Sequence, residues 1–229
     1  MTLVLRDVWY RYPGSKNWVL RGVNLEVHEE QVIGVVGPNG AGKTTLLKVA
    51  GLLYRPLRGR VLIDRVDYWS AERQVKLAAR RLVAYVHPEP VLVRGSVLDN
   101  LVLSLVMRGV KKQEAILRVK MLAEKLGIRN LLYRKASSLS SGEAQLISIL
   151  RAIIASPRYL LLDEPTSHLD SSKKALLADI LAELVKYGSS VVIATHDTGF
   201  LSKLGARIVE IVDGRIVGSG GAHHSPRAA

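Results

Sequence analysis

QVIGVVGPNGAGKTTLLKVAGLL, residues 31–53, is an apolar run, then a glycine-rich turn, then a segment of helix-forming residues. QVIGVV (31–36) is continuously apolar after Gln31, the pattern of a strand buried on both faces. Gly37, Gly42, Lys43 and Thr44 fit the spacing G-x-x-x-x-G-K-[ST], placed after that strand and before the helix predicted for TTLLKVAGLL (44–53). Glycines let backbone N–H groups curl around an anion where a Cβ would clash. The helix N-terminus adds partial positive charge. The candidate binding residues are therefore Gly37, Pro38, Asn39, Gly40, Ala41, Gly42, Lys43, Thr44 and Thr45. Lys43 has the reach for β and γ phosphates, and the Thr44 hydroxyl suits Mg²⁺. The turn reads as a nucleotide phosphate site.

Two later apolar runs extend the sheet: YLLL (159–162) and SVVIAT (190–195). The first ends at Asp163, at the carboxyl edge where parallel sheets place their ligands. Asp163 is the candidate to hold Mg²⁺ through water, and Glu164 to orient or deprotonate an attacking water. The plainer alternative for this pair is helix capping. SVVIAT leads to His196, either a structural residue or a γ-phosphate sensor; its place at a strand end favours the sensor.

Residues 1–30 read as short strands. Val23, Leu25 and Val27 alternate with Asn24 and Glu26, and YPGSKN (12–17) is turn chemistry, which predicts an antiparallel hairpin. Over about 96–155 the pattern turns helical, with Ile116, Val119, Leu122 and Leu126 on one face. The expected fold is α/β: a P-loop NTPase core with a mostly parallel sheet, an N-terminal antiparallel β-subdomain and an inserted α-helical subdomain. Residues 1–218 form a single domain. The small polar stretch from Gly218, GSGGAHHSPRAA, leaves 219–229 as a disordered tail, in which His223 and His224 are solvated or bind a metal.

The totals narrow the classes. At 229 residues the chain fits one domain with a real core, and its 48% hydrophobic and 23% charged residues suit a globular protein. No run of 18 apolar residues spans a bilayer, and Arg6 and Asp7 interrupt the start before a signal-peptide core forms. The lack of cysteine suits the cytoplasm. A net charge of +13 admits nucleic acid, anionic headgroups or simply a solvated basic surface. The basic residues are spread along the chain, which weakens the nucleic-acid reading.

GPNGAGKTT (37–45), LSSGEAQ (139–145), YLLLDEPTSHLD (159–170) and VVIATHD (191–197), in that order, resemble the nucleotide-binding subunits of ABC (ATP-binding cassette) ATPases. The resemblance runs from about Thr2 to Gly218. It implies ATP and Mg²⁺ as cofactors, and Lys43, Glu164 and His196 as the catalytic set. LSSGE opens a helix that Ser138, Ser140 or Ser141 can cap, making an anion site without a cation of its own. In the family two cassettes pack head to tail, and this turn meets the γ-phosphate held by the other chain. Ser140, Gly142 and Glu143 are the residues carried over. Tyr12, 25 residues ahead of Gly37, resembles the aromatic that stacks on adenine; Trp9 or Tyr10 can also hold that role, or all three form hairpin core. SHLD (167–170) resembles the loop that crosses the dimer interface, with Asp170 its structural acid.

Three positions depart from the family. Ser141-Gly142 replaces Gly-Gly, and Leu146 replaces the arginine after the signature. In YVHPEP (85–90), Pro88 occupies the place of the glutamine that senses Mg²⁺ and faces the membrane subunit. Glu89 or His87 substitutes for it, or both lie in a solvent-exposed loop. The implied function is the ATPase of an ABC transporter on the inner face of the cell membrane. Its expected partners are a second cassette, an integral membrane permease and an extracytoplasmic substrate-binding protein, with no nucleic acid. RGSVLDN (94–100) and SGEAQ (141–145) look most like importers of tungstate or related oxyanions. The alternatives are an exporter ATPase, or a non-transport ABC ATPase acting on nucleic acid or ribosomes. Only 102 residues separate Gly37 from Leu139, which leaves no room for a long coiled-coil insertion.

Overall fold

A computed structural model describes residues 2–220. Strands β1 (Thr2–Tyr10) and β2 (Leu20–His28) pair antiparallel across the predicted turn. With β4 (Arg58–Ile63) and β5 (Val66–Asp67) they form a four-stranded antiparallel sheet in the order β2-β1-β4-β5. Leu3 and Leu5 point into the core, then Val8 and Tyr10 do, so the buried parity changes within β1. A bulge causes it: three residues from Leu5 to Val8 oppose two from Leu25 to Val23, with Asp7 at φ +47°.

The second sheet is built from β3 (Val32–Val36), β6 (Val83–Val86), β7 (Tyr159–Asp163), β8 (Ser190–Ala194), β9 (Arg207–Val212) and β10 (Arg215–Gly220). Its order is β10-β9-β3-β8-β7-β6, parallel except for β10 against β9. Every residue of β7 and β8 is buried. Their alternate side chains enter two different cores: Leu160, Leu162, Val191 and Ile193 on one face, Tyr159, Leu161, Val192 and Ala194 on the other. The first core holds the helical lobe, and the second holds the antiparallel sheet and α1 (Lys43–Ala50). This two-sided burial is why the runs show no polar alternation.

The helical stretch comprises α3 (Val97–Val106), α4 (Lys112–Lys125) and α5 (Ser141–Ile153). On α4 the centre of the buried face is Ala115, Val119 and Ala123, with Ile116, Leu122 and Leu126 half-buried beside it. Buried Asn100 on α3 ties down the preceding loop, donating to the Val93 and Ser96 carbonyls and accepting from the Val93 N–H. Helices α2 (Arg73–Leu82), α6 (Ser171–Lys186) and α7 (Thr198–Lys203) complete the domain. Strand β10 carries Ser219 and Gly220 beyond the predicted start of the tail, because the backbone there pairs with Val209 and Ile208. His223 and His224 lie outside the described residues. Among the described residues, no helix is long and apolar enough to cross a membrane.

Candidate nucleotide site

Sheet register gathers the site. Ala194 of β8 lies opposite both Val35 of β3 and Asp163 of β7. The residues just beyond these positions therefore emerge together at the carboxyl edge, as parallel sheets require of a ligand crevice. A cavity of about 420 Å³ there is lined by the phosphate turn and by Tyr12, Asp163, Glu164 and His196. From the turn, Asn39, Gly40, Gly42, Lys43, Thr44 and Thr45 line it.

Gly37, Pro38 and Ala41 do not line the cavity, and contacts within the protein shape the turn. Gly37 (φ +150°) has no room for a Cβ, which would sit 2.1 Å from the Ile211 carbonyl oxygen. At Gly42 (φ +106°) a Cβ would lie 2.9 Å from the Val19 oxygen. These glycines are thus required by the protein's own backbone as well as by an anion. Pro38 accepts from the Ala41 N–H at 3.2 Å, closing the turn. Lys43 donates from Nζ to the Gly37 and Pro38 oxygens at 2.7 and 3.0 Å, which holds its charge over the loop. Helix α1 starts at Gly42 without a side-chain cap, so its first N–H groups face the cavity end of the helix unpaired by side chains.

Glu164 is at φ +45°, a conformation that non-glycine residues adopt at a cost, and its N–H donates to the Ala194 oxygen at 2.8 Å. The Thr195 hydroxyl donates to Glu164 Oε2 at 3.1 Å, while His196 Nε2 stands 3.5 Å from Oε1. Asp163 is 2% exposed, and its Oδ2 accepts from the Tyr85 hydroxyl at 2.9 Å. Burial first, then the Asp163 charge, push the Tyr85 hydroxyl well above its ordinary 10, so it stays a donor. Thr44 and Asp163 offer the hydroxyl and carboxylate oxygens that suit Mg²⁺, which takes few protein ligands beside phosphate and water.

Tyr12 is half-exposed and lines both this cavity and a neighbouring one of about 650 Å³ that contains Tyr10 and Tyr54. Its hydroxyl lies 2.9 Å from Thr45 Oγ1. Tyr10 is buried in the core, stacked on Tyr54, and Trp9 packs edge-on against Trp18.

The LSSGE turn stands apart. Ser140 is the N-cap of α5: its hydroxyl accepts from the Glu143 N–H at 3.2 Å, and the Glu143 carboxylate accepts from the Ser140 N–H at 2.8 Å. Arg134, a residue the motif reading missed, pairs with Glu143 at 2.7 Å and donates to the Ser138 oxygen. At Gly142 a Cβ would lie 2.6 Å from the His168 oxygen, so glycine lets the turn pack on the 167–170 loop. Asp170 caps α6, accepting from the Lys173 N–H at 2.9 Å. His87 and Glu89 are exposed, and the Glu89 N–H donates to His87 Nδ1 at 3.1 Å. Neither is among the residues lining the phosphate cavity.

The family model of the ABC transporter matches residues 20–167. The chain belongs to the ABC transporter family. It is an ATP-binding-cassette ATPase. The cassette is 34% identical to an uncharacterized ABC transporter ATP-binding protein of Thermotoga maritima, over 93% of each chain. It is also 34% identical to the lipoprotein-releasing system ATP-binding protein LolD of Aquifex aeolicus, over 87% of this chain and 90% of the relative. Among solved structures it superposes on the ATP-binding cassette MJ0796, a dimer in a post-hydrolysis state bound to ADP and Pi. That match has a TM-score of 0.87 and 26% identity, covering 97% of this chain and 100% of the other. CbiO1 of Clostridium perfringens, part of the transporter complex cbiONQ, matches with a TM-score of 0.83 and 26% identity over 96% of this chain and 88% of that one.

Proposed function

We propose that two cassettes close head to tail on ATP and Mg²⁺, and that hydrolysis drives a separate membrane permease. One observation carries the composite site: Ser140, Gly142 and Glu143 are not among the residues lining the chain's own phosphate cavity. The uncapped anion cradle and the capped, serine-bearing helix start do not share a cavity within one chain. Each needs the other from a second chain. In this reading Lys43 and the turn N–H groups bind the β and γ phosphates, and Thr44 and Asp163 hold the metal. Glu164 takes the proton of the attacking water, His196 fixes the γ-phosphate, and Tyr12 stacks on the base. Mg²⁺ supplies charge neutralisation at the phosphates.

Mixing two dead variants tests the arrangement. Lys43→Ala fails at its own phosphate loop, and Ser140→Arg places bulk and charge where the partner's γ-phosphate would sit. In a mixed dimer both defects fall on one site and the other site is intact. Turnover that returns on mixing supports the head-to-tail pair; a mixture as inactive as its parts overturns it.

Transport is supported by the family and by a second cavity of about 600 Å³ beside the loop that the resemblance turns towards the membrane subunit. Arg81, Arg108, Arg151, His87 and Met107 line it. Import of tungstate or a related oxyanion is supported by the phrasing of residues 94–100 and 141–145. Co-purification of a polytopic membrane partner, and oxyanion uptake by vesicles containing both, is the corresponding test.

A further inference from the structure

The position usually held by a metal-sensing glutamine is Pro88, and the His87 and Glu89 side chains beside it do not line the phosphate cavity. Three residues earlier, Tyr85 on β6 does reach the metal side. Its register partner on β7 is Leu161, two residues before Asp163, and its hydroxyl spans the gap to Asp163 Oδ2 at 2.9 Å. Among the described residues this is the only hydrogen bond to the Asp163 side chain.

The geometry points to Tyr85 as a positioning residue that orients the Asp163 carboxylate for the metal. The inference rests on the proposed role of Asp163. A carboxylate turns easily about its terminal torsion, which is broad and roughly two-fold. Fixing Oδ2 sets the carboxylate plane and leaves Oδ1 to face the cation or its water shell. Partners of this kind hold first ligands in place, and their loss typically costs about 10–100-fold in metal affinity. The ring of Tyr85 meanwhile lines the arginine-bearing cavity, beside His87 at a centroid distance of 6.4 Å. A body entering that cavity therefore touches the residue that holds the metal-site carboxylate.

Tyr85→Phe removes the hydroxyl and keeps the ring. Mn²⁺ titrations with protein in excess over ATP, read by loss of the free-ion EPR signal against a protein-free ATP control, measure the metal at the site. ATP binding in EDTA measures the nucleotide alone. The expected result is unchanged ATP binding in EDTA with a Mn²⁺ curve displaced about 10-fold to higher metal. Superimposable Mn²⁺ curves overturn the inference, as does equal weakening with and without metal, which marks a merely structural role. Thermal midpoints in EDTA report folding of the variant, and a variant that fails to fold gives the residue a packing role and also overturns it. If the wild-type protein itself takes up no Mn²⁺ with ATP, the nucleotide-site reading fails and takes the inference with it.

Discussion

Glu164 Oε1 and His196 Nε2 stand 3.5 Å apart, and the same imidazole nitrogen lies 3.0 Å from Asn39 Oδ1 in the phosphate turn. The carboxylate is thereby oriented from two sides, since Thr195 holds its other oxygen. Thr195 in turn accepts from the Asp197 N–H at 3.1 Å, and Asp197 caps α7 and pairs with Lys174. The end of β8 therefore sets the direction of a carboxylate borne on the end of β7. A general base must be aimed before its pKa matters.

Glu164→Gln preserves the shape and the Thr195 contact but removes the proton acceptor. Turnover is expected to fall by about 100-fold or more, the usual worth of a positioned base. Mg-ATP binding is expected to survive, so the variant accumulates as a dimer. Light scattering after size exclusion, with and without Mg-ATP, checks this. A variant that remains monomeric at saturating Mg-ATP contradicts closure on nucleotide.

His196→Ala separates positioning from binding. It removes one link to Glu164 and one to Asn39 of the turn, while Lys43 and its bonds to the Gly37 and Pro38 oxygens are untouched. Loss of a charge-assisted hydrogen bond in the transition state corresponds to about 10–100-fold in turnover. The nucleotide dissociation constant should hardly move. Near-normal steady-state turnover would assign His196 to structure alone.

Much of this site was legible because it lies at the ends of long apolar runs. QVIGVV, YLLL and SVVIAT each announced a buried strand, and the residues after them are the ones the sheet register brings together. Tyr85 was hidden because the use of its hydroxyl depends on Asp163, 78 residues away, and nothing in the short run LVAYV (82–86) marks that contact. Arg134 was hidden for a different reason. It lies five residues before Leu139, in an irregular segment, and acts on Glu143 only once the chain has turned. The β1 bulge was invisible for a third: a single extra residue, Asp7, shifts the inward parity without disturbing the composition. Glycine was recognised at Gly37 and Gly42, but part of its physical cause, contact with the Ile211 and Val19 carbonyls, comes from residues remote in sequence.

The signature turn should carry an acid sensitivity of its own. The Ser140 N–H first, with Arg134 and the Ser140 hydroxyl, holds the Glu143 carboxyl below its ordinary 4.5. A depressed folded-state pKa adds stability above the unfolded value, and that stability disappears as pH falls through the folded value. The wild-type midpoint should therefore drop below about pH 4.5, and Glu143→Gln should flatten part of that drop. The pair is partly solvated, so the difference between the two curves should stay within about 2 °C. Parallel melting curves from pH 7 to 3 would show that the charge of Glu143 adds nothing to the cap.

Pro88 offers the most direct test of how this cassette manages without the usual amide. Proline has no side-chain donor or acceptor, and its ring fixes φ, which stiffens the loop joining β6 to the helical lobe. His87 is occupied by the Glu89 N–H, and both residues face solvent. Neither lines the phosphate cavity, while Asp163, Glu164 and His196 all do. The isolated chain should hydrolyse Mg-ATP measurably but slowly. Pro88→Gln restores a side chain able to bridge metal and water and frees the loop, so turnover should rise a few-fold. Glu89→Ala and His87→Ala should leave turnover close to wild type. Steady-state rates of the four proteins at saturating Mg-ATP decide it. No gain from Pro88→Gln, with a large loss in Glu89→Ala, would show that the loop folds inward during the cycle and that the acid serves the metal after all.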